Sequence, residues 1–325
     1  MVNRTFWRYI VKRMLQSVCV LLIVIVGNFI LLHAIPGDVV DVMVGQSGDR
    51  QLMDALRQRL GLDQPVLIQL YAYVGNILRG DLGYSLQDAS PVLPIILHAL
   101  PTTALLVLCS VVVALFIGTL NGVLAARFAH RPVDVLISVM ALFFYATPIF
   151  LSAIGLIIIF CVKLQWLPLS GLGTPGLETS LLGHAADVAR HLVLPVLSLS
   201  LYYIAIYTRL SRAAMLQVMD EDYIRTAYAK GLKTSHVILG HALRNALLPV
   251  VTMAGLQIAE LFGGAVLAET IYGLPGIGQL AYNAVFQRNY AVILGILIVT
   301  SCVVVVVNLL IDIVYTRIDP RVEMS

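Results

Sequence analysis

Charge is scarce in this chain. Of its 325 residues only 12% are Asp, Glu, Lys or Arg while 59% are hydrophobic, and the mean hydropathy is +0.91. A soluble domain carries about twice that charged fraction, so a soluble globular fold is excluded. The excess of 21 basic over 18 acidic residues is too small to mark a nucleic-acid surface. The four cysteines, Cys19, Cys109, Cys161 and Cys302, each stand alone in an apolar run and read as small packing residues. A Gly-x4-Gly-Lys-[Ser/Thr] phosphate loop is missing, so the chain does not bind ATP by that route. Gly-x-Ser-x-Gly and His-Glu-x-x-His are missing as well, which argues against an intramembrane hydrolase. His184 and His191 are near one another in sequence; a metal site there is compatible with the pair, but interface chemistry is the reading preferred. Neither an internal repeat nor a low-complexity stretch is found.

Long apolar runs are what the chain does have. Five are free of charge, Met14 to Leu32, Thr102 to Ala126, Val135 to Val162, Leu192 to Thr208 and Ala291 to Ile311, and each approaches or exceeds the length of about 20 residues that a helix needs to cross lipid. A sixth, Ala246 to about Ile271, carries Glu260 and Glu269, so one of its faces must avoid lipid. The fold class expected is an all-α polytopic membrane protein with six spans. Most basic residues collect on one side of such a topology: Arg4, Arg8, Lys12 and Arg13, then Arg127 and Arg131, then Arg209, Arg212, Arg225, Lys230, Lys233 and Arg244, then Arg317 and Arg321. By the positive-inside bias that side is cytoplasmic, with both termini in the cytoplasm. The run after Arg13 is longer than a signal-peptide core and His33-Ala34-Ile35-Pro36-Gly37 is a poor cleavage site, so a retained span is expected.

The division that follows is 1–13 as cytoplasmic N-terminus, 14–34 as the first span, 35–100 as an outer helical segment, 101–315 as the transmembrane core, and 316–325 as a cytoplasmic tail. In the outer segment Leu52, Leu56 and Leu60 repeat at helical spacing up to Gly61. A second helix is expected with Asp63 as its cap, Pro65 in its first turn, and Leu67, Leu70, Tyr71, Val74, Ile77 and Leu78 on one apolar face. Packing on the membrane or the bundle accounts for such a face, and a docking rim for an external protein is compatible with it.

The cytoplasmic loop 210–246 is polar, basic and still helical in pattern. Asp222 is expected to cap a short helix from Tyr223 to Lys230, Gly231 to end it in the left-handed conformation, and Ser235 to cap a second helix running toward Pro249. Small Ala227, four residues before Gly231, shares a face with it and permits close backbone approach. A solvated connector accounts equally well for these features.

The residues here also carry a resemblance. Glu221-Asp222-Tyr223-Ile224-Arg225-Thr226-Ala227-Tyr228-Ala229-Lys230-Gly231-Leu232, followed by His241-Ala242-Leu243-Arg244-Asn245-Ala246-Leu247-Leu248-Pro249, resembles the coupling loop of ABC-importer permeases, and within them the B-type permease of dipeptide, oligopeptide and nickel importers. Leu60-Gly61-Leu62-Asp63-Gln64-Pro65, Gly80-Asp81-Leu82-Gly83-Tyr84-Ser85, Glu269-Thr270-Ile271-Tyr272-Gly273-Leu274-Pro275-Gly276-Ile277-Gly278 and Asp319-Pro320-Arg321 agree, so the resemblance runs along nearly the whole chain. Arg225-Thr226-Ala227 stands where the general importer pattern has Glu-Ala-Ala, and His241 and Arg244 replace its Ile and Pro.

The resemblance implies the type I ABC importer permease fold and a subunit of the bacterial cytoplasmic membrane without an ATP site of its own. It implies no resident cofactor, with ATP and Mg bound by two cytoplasmic ATPases. Its other partners are a second, related permease, an external or lipid-anchored substrate-binding protein, and lipid, with no nucleic acid. Asp222, Tyr223, Ala227, Gly231, Leu232 and Arg244 are then the coupling residues. Short peptides are the expected cargo, with nickel or a metal chelate as the alternative, and a stand-alone secondary transporter as the reading from another class. Glu260, Glu269 and Tyr145 are the candidate pathway residues, the acids because ionisable groups in spans face bundle interiors or wet cavities. Nine residues apart at about 100° each, the acids do not share a stripe. Glu269 has the alternative of holding the turn that follows it. Pro148 is expected to kink its span, and Gly263, Gly264 and Ala265 to allow close helix packing.

Overall fold

The computed structural model describes residues 2–34, 64–85, 87–176 and 180–318. Among them nearly all regular structure is helical, as it must be where no water is present to satisfy backbone groups. The order is α1 (Val2–Ala34), α2 (Val66–Leu78), a two-stranded ribbon of β1 (Tyr84–Ser85) and β2 (Ser90–Pro91), α3 (Val92–Arg127), α4 (Pro132–Ala146), α5 (Ile149–Leu156), α6 (Leu181–Met219), α7 (Asp222–Ala229), α8 (Thr234–His236), α9 (Leu243–Tyr272), α10 (Ile277–Phe286) and α11 (Tyr290–Ile318). Wider π turns extend α5 over Ile157–Lys163 and join α8 to α9 over Val237–Ala242. Among the described residues five helices are long and apolar enough to span a bilayer, and α4 with α5 makes a sixth if the pair is one span. The all-α multi-span expectation is met.

The third run differs from a kinked rod, because α4 and α5 meet at 105°. Thr147, ahead of Pro148, is held extended at φ −82° and ψ 122°, the region to which a following proline ring confines its neighbour. The carbonyl of Phe143 accepts from both Thr147 N (3.0 Å) and Thr147 Oγ1 (2.7 Å), which closes the last turn of α4.

The chain divides into two compact units, residues 1–99 with 280–325, and residues 100–279. In the first, α1 packs on α11, and Asn28 Nδ2 donates to the Leu294 carbonyl at 3.3 Å. The expected second outer helix exists as α2, with Pro65 as its N-cap, one position before the first turn foreseen for it. Only part of its apolar face is covered: Leu70, Val74 and Ile77 are half-buried, whereas Leu67, Tyr71 and Leu78 are exposed. The Gly80–Ser85 stretch folds as a turn, with Gly80 and Gly83 at positive φ and the Gly83 amide donating to Asp81 Oδ1 at 2.9 Å. It feeds the ribbon, which Asn289 of α11's approach ties down by donating to Ser85 Oγ at 2.8 Å. The expected helix around Leu52, Leu56 and Leu60, Asp63, and the Asp319-Pro320-Arg321 motif lie outside the described residues.

In the second unit α6 is the central element, in contact with α4, α5 and α9. The core gathers Leu106, Val111, Leu199, Tyr207, Val250 and Tyr272. Gly118 and Gly122, one turn apart on α3, let it lie directly on α6: a Cβ on Gly122 would stand 2.5 Å from Ser211 Cβ and 2.8 Å from the Thr208 carbonyl. This is the small-xxx-small contact by which membrane helices approach closely. Free Cys109, Cys161 and Cys302 are half-buried and Cys19 exposed, consistent with packing roles for the first three.

Candidate coupling site

At the end of α6 the chain turns through Asp220 and Glu221 into α7. Asp222 is the first residue of this helix and not its cap; Glu221 holds the cap position, extended at φ −71° and ψ 145°, without a side-chain bond. Asp222 instead pairs with Arg225 one turn on (3.4 Å), a contact too exposed to stabilise much. The elbow itself forms as expected. Gly231 sits at φ +76° with open space around it, its amide donating to the Tyr228 carbonyl at 2.9 Å and that of Leu232 to Ala227 at 3.4 Å. Glycine is favoured there by its backbone angle and not by crowding. Ser235 does not cap α8: Lys233 holds that position without a side-chain bond. The helix begun at Thr234 passes through the π turns and on beyond Pro249, as one rod with α9.

Helix α7 is held by two side chains. Ile224 and Ala227 are buried among Val123 and Ala126 of α3, Ala214 and Met215 of α6, and Val237, Ile238, Ala242 and Ala246. Ala227 thus makes the close approach foreseen for it, but toward its own chain, because residues three apart on a short helix share its inner face. It anchors the elbow and is not part of its outer surface. The outer surface carries Asp222, Tyr223, Arg225, Tyr228, Gly231, Leu232 and Arg244, all exposed. Tyr223 is braced by Asn245, whose Nδ2 donates to its hydroxyl at 2.7 Å.

A partly buried ion pair beside the elbow escaped the sequence reading, which counted Arg212 only among the inside charges. Arg212 Nε and Nη2 donate to Asp134 Oδ1 and Oδ2 at 2.6 and 2.8 Å, and Asp134 also accepts from the His130 amide at 2.9 Å. This two-pronged bond clamps the start of α4 to α6, one turn before Met215. The signal available in sequence was Asp134 two residues after Pro132, a lone acid at the mouth of an apolar run.

Of the candidate pathway residues, Glu269 and Tyr145 have separate surroundings. Glu269 is fully buried: its Oε1 accepts from Thr103 Oγ1 (2.6 Å), its Oε2 from the Gln279 amide (3.0 Å), and its carbonyl from the Leu274 amide (2.9 Å). Gly276 and Gly278 leave room for the carboxylate, since a Cβ on either would fall within 3 Å of it. Glu269 is therefore bonded into the Tyr272–Gly278 turn. Of Glu260 the backbone alone is described, as part of α9. Tyr145 is exposed, stacked on Tyr202 with ring centres 5.4 Å apart and 14° between planes, and the Arg209 guanidinium lies over it at 5.4 Å. His191 hydrogen-bonds the Asp187 carbonyl, while the Asp187 carboxylate accepts from Thr174. Among the described residues no group of three or more His, Cys, Asp or Glu is placed to hold a metal.

Comparison with known proteins agrees with this geometry. Residues 118–324 match the family described as "Binding-protein-dependent transport system inner membrane component", and residues 6–107 match the N-terminal family of such membrane components. The oligopeptide transport system permease protein AppB of Bacillus subtilis is 37% identical over 97% of this chain and 99% of its own length. The glutathione transport system permease protein GsiC of Escherichia coli K12 is 36% identical over 97% and 98%. A chain of the MetNI methionine ABC transporter in an inward-facing conformation superposes with a TM-score of 0.55 at 17% identity, over 69% of this chain and 96% of that one. The fold is that of the type I ABC importer permeases.

Proposed function

Because the chain belongs to the family of binding-protein-dependent transport system inner membrane components, we propose that it is one of two related permease subunits that together carry short peptides inward across the cytoplasmic membrane. The membership makes it a multi-pass membrane subunit of an ABC importer, working with ATPase subunits. Two cytoplasmic ATPases bind ATP and Mg and seat the elbow in a groove. An external or lipid-anchored binding protein delivers the peptide, and both termini face the cytoplasm. The permease names of the Bacillus and Escherichia relatives, oligopeptide and glutathione, support a peptide-like cargo.

The observation that carries the reading is the elbow's two-sidedness. Ile224 and Ala227 fasten α7 into the chain's own bundle while Tyr223, Tyr228, Leu232 and Arg244 stay exposed. An element pulled by a partner needs this division, since a displacement applied to the outer residues reaches α3 and α6 only through the inner ones. Gly231 marks the point where the chain bends back, and its open surroundings leave the elbow free to enter a groove.

The test compares two substitutions of Gly231 in the complete complex in lipid nanodiscs. Asn tolerates the left-handed angle, so Gly231→Asn is expected to retain transport and substrate-stimulated ATP hydrolysis. Gly231→Arg adds bulk at the tip and is expected to assemble yet lose stimulated hydrolysis at least tenfold. Equal activity in both variants, or the absence of any co-purifying ATPase, would sink the coupling role and favour a stand-alone transporter.

A further inference from the structure

We propose that Arg209, with Tyr145 and Tyr202, forms a subsite in the translocation pathway that receives the substrate's carboxylate. The proposal deepens the peptide-importer reading above and rests on it.

The placement of these residues in the membrane is the first argument. Helices α4 and α6 lie side by side in opposite directions: Asp134 pairs with Arg212, and Tyr145, later on α4, stacks on Tyr202, earlier on α6. Asp134 and Tyr145 are eleven positions apart on one helix and Arg212 and Tyr202 ten on the other, so at 1.5 Å per residue both intervals are about 15 Å. With the ion pair at the end of the apolar run, the tyrosine stack lies about halfway through a hydrocarbon core of roughly 30 Å.

Arg209 is the second argument. It stands two turns after Tyr202 on the same face of α6, and its guanidinium sits over the Tyr145 ring, so its head points away from the Arg212 end and toward the middle of the membrane. A long cationic side chain near a helix end ordinarily reaches for the interface. Arg212, one turn further on, is neutralised by Asp134. Among the described residues no carboxylate bonds to Arg209, and it is exposed. An exposed, uncompensated guanidinium directed inward is tolerated where the surface lines a wet cavity.

The chemistry of the cluster selects the ligand. Guanidinium offers planar, paired donors that match a carboxylate, and a tyrosine face behind it keeps its orientation while leaving the N–H edge free. The stacked rings give an apolar platform beside that edge. A short peptide presents both features, a terminal carboxylate and a body to lie on the rings.

The experiment uses the full complex in proteoliposomes with its binding protein, supplied with trialanine or trialaninamide at concentrations that saturate the binding protein. The wild type is expected to transport the acid faster than the amide by about tenfold, the effect of one charge-assisted contact. Arg209→Gln is expected to slow the acid to the rate of the amide while leaving the amide unchanged, and Arg209→Lys to keep most of the preference. A preference retained in Arg209→Gln, or acid and amide slowed equally in both variants, overturns the proposal. So does failure of Arg209→Gln alone to assemble, which would assign the guanidinium to a contact with the second permease. A wild-type complex that hydrolyses ATP but moves neither peptide marks instead the failure of the peptide reading.

Discussion

Thr103 Oγ1 donates to Glu269 Oε1 at 2.6 Å and accepts from the Ile277 amide at 2.8 Å. One hydroxyl on α3 thereby closes both ends of the turn that links α9 to α10. The Glu-Thr-Ile-Tyr-Gly-Leu-Pro-Gly-Ile-Gly stretch is thus a structural clasp, with the carboxylate at its centre and Gly276 and Gly278 against it because nothing larger fits at those two positions.

Glu269→Ala leaves the Thr103 hydroxyl and the Gln279 amide without their acceptor. Each buried orphan costs about 1–3 kcal/mol, so a marked fall in the thermal midpoint of the purified complex is expected. Glu269→Gln keeps one oxygen acceptor and should lose roughly half as much. A midpoint unchanged in Glu269→Ala refutes the clasp.

Gly122→Ala tests the α3–α6 contact. The new methyl meets Ser211 Cβ and the Thr208 carbonyl closer than van der Waals distance, and backbone does not yield cheaply. Destabilisation of about 1–3 kcal/mol, the usual cost of overpacking, is expected in thermal unfolding. Gly263→Ala, where a Cβ meets nothing within 4 Å, serves as the comparison and should leave the midpoint within a degree or two.

The inner and outer faces of α7 should separate in two assays. Ala227→Leu overfills the pocket of Val123, Met215 and Ile238 and is expected to lower stability by about 1–3 kcal/mol. Tyr228→Ala, on the exposed side, is expected to leave unfolding unchanged and to weaken ATPase association at least severalfold, read by co-purification at rising salt. Reversal of this pattern contradicts the division of the helix into anchor and contact.

Asp134→Ala strands Arg212 beside a low-dielectric helix pair. Breaking a fully buried pair costs about 3–5 kcal/mol; Arg212 is partly solvated, so about 1–3 kcal/mol is expected in thermal unfolding of the complex. The double change Asp134→Ala with Arg212→Met removes the stranded charge and should recover part of that loss. No recovery means that the carboxylate acts instead through the His130 amide and the Ser138 hydroxyl, which donate to it at 2.9 and 3.4 Å.

Much of this was legible in the sequence, and what was not has a common cause. Apolar run length fixed the spans, since lipid thickness and helix rise leave little choice, and Gly231 announced its left-handed turn because one residue type favours it. The features missed depend on which helices become neighbours. Asp134 and Arg212 are far apart in sequence, Gly118 and Gly122 read as ordinary span glycines until α6 lies across them, and Ala227 reveals its inward face only when Ala214 and Ala242 close around it. Glu269 was ambiguous for the same reason, because its partner Thr103 sits on another span. The caps assigned to Asp222 and Ser235 failed more locally, as Glu221 and Lys233 hold those positions with no side-chain bond.

The right-angled joint at Thr147–Pro148 has a mechanical meaning. A straight helix acts as a piston and hands an axial push unchanged from one membrane face to the other. Two rods meeting at 105° do not: a push along α4 arrives at α5 as a sideways sweep about the joint. Both rods touch α6, while α5 also touches α9. Work done at one end of this span is therefore delivered as leverage between neighbouring helices.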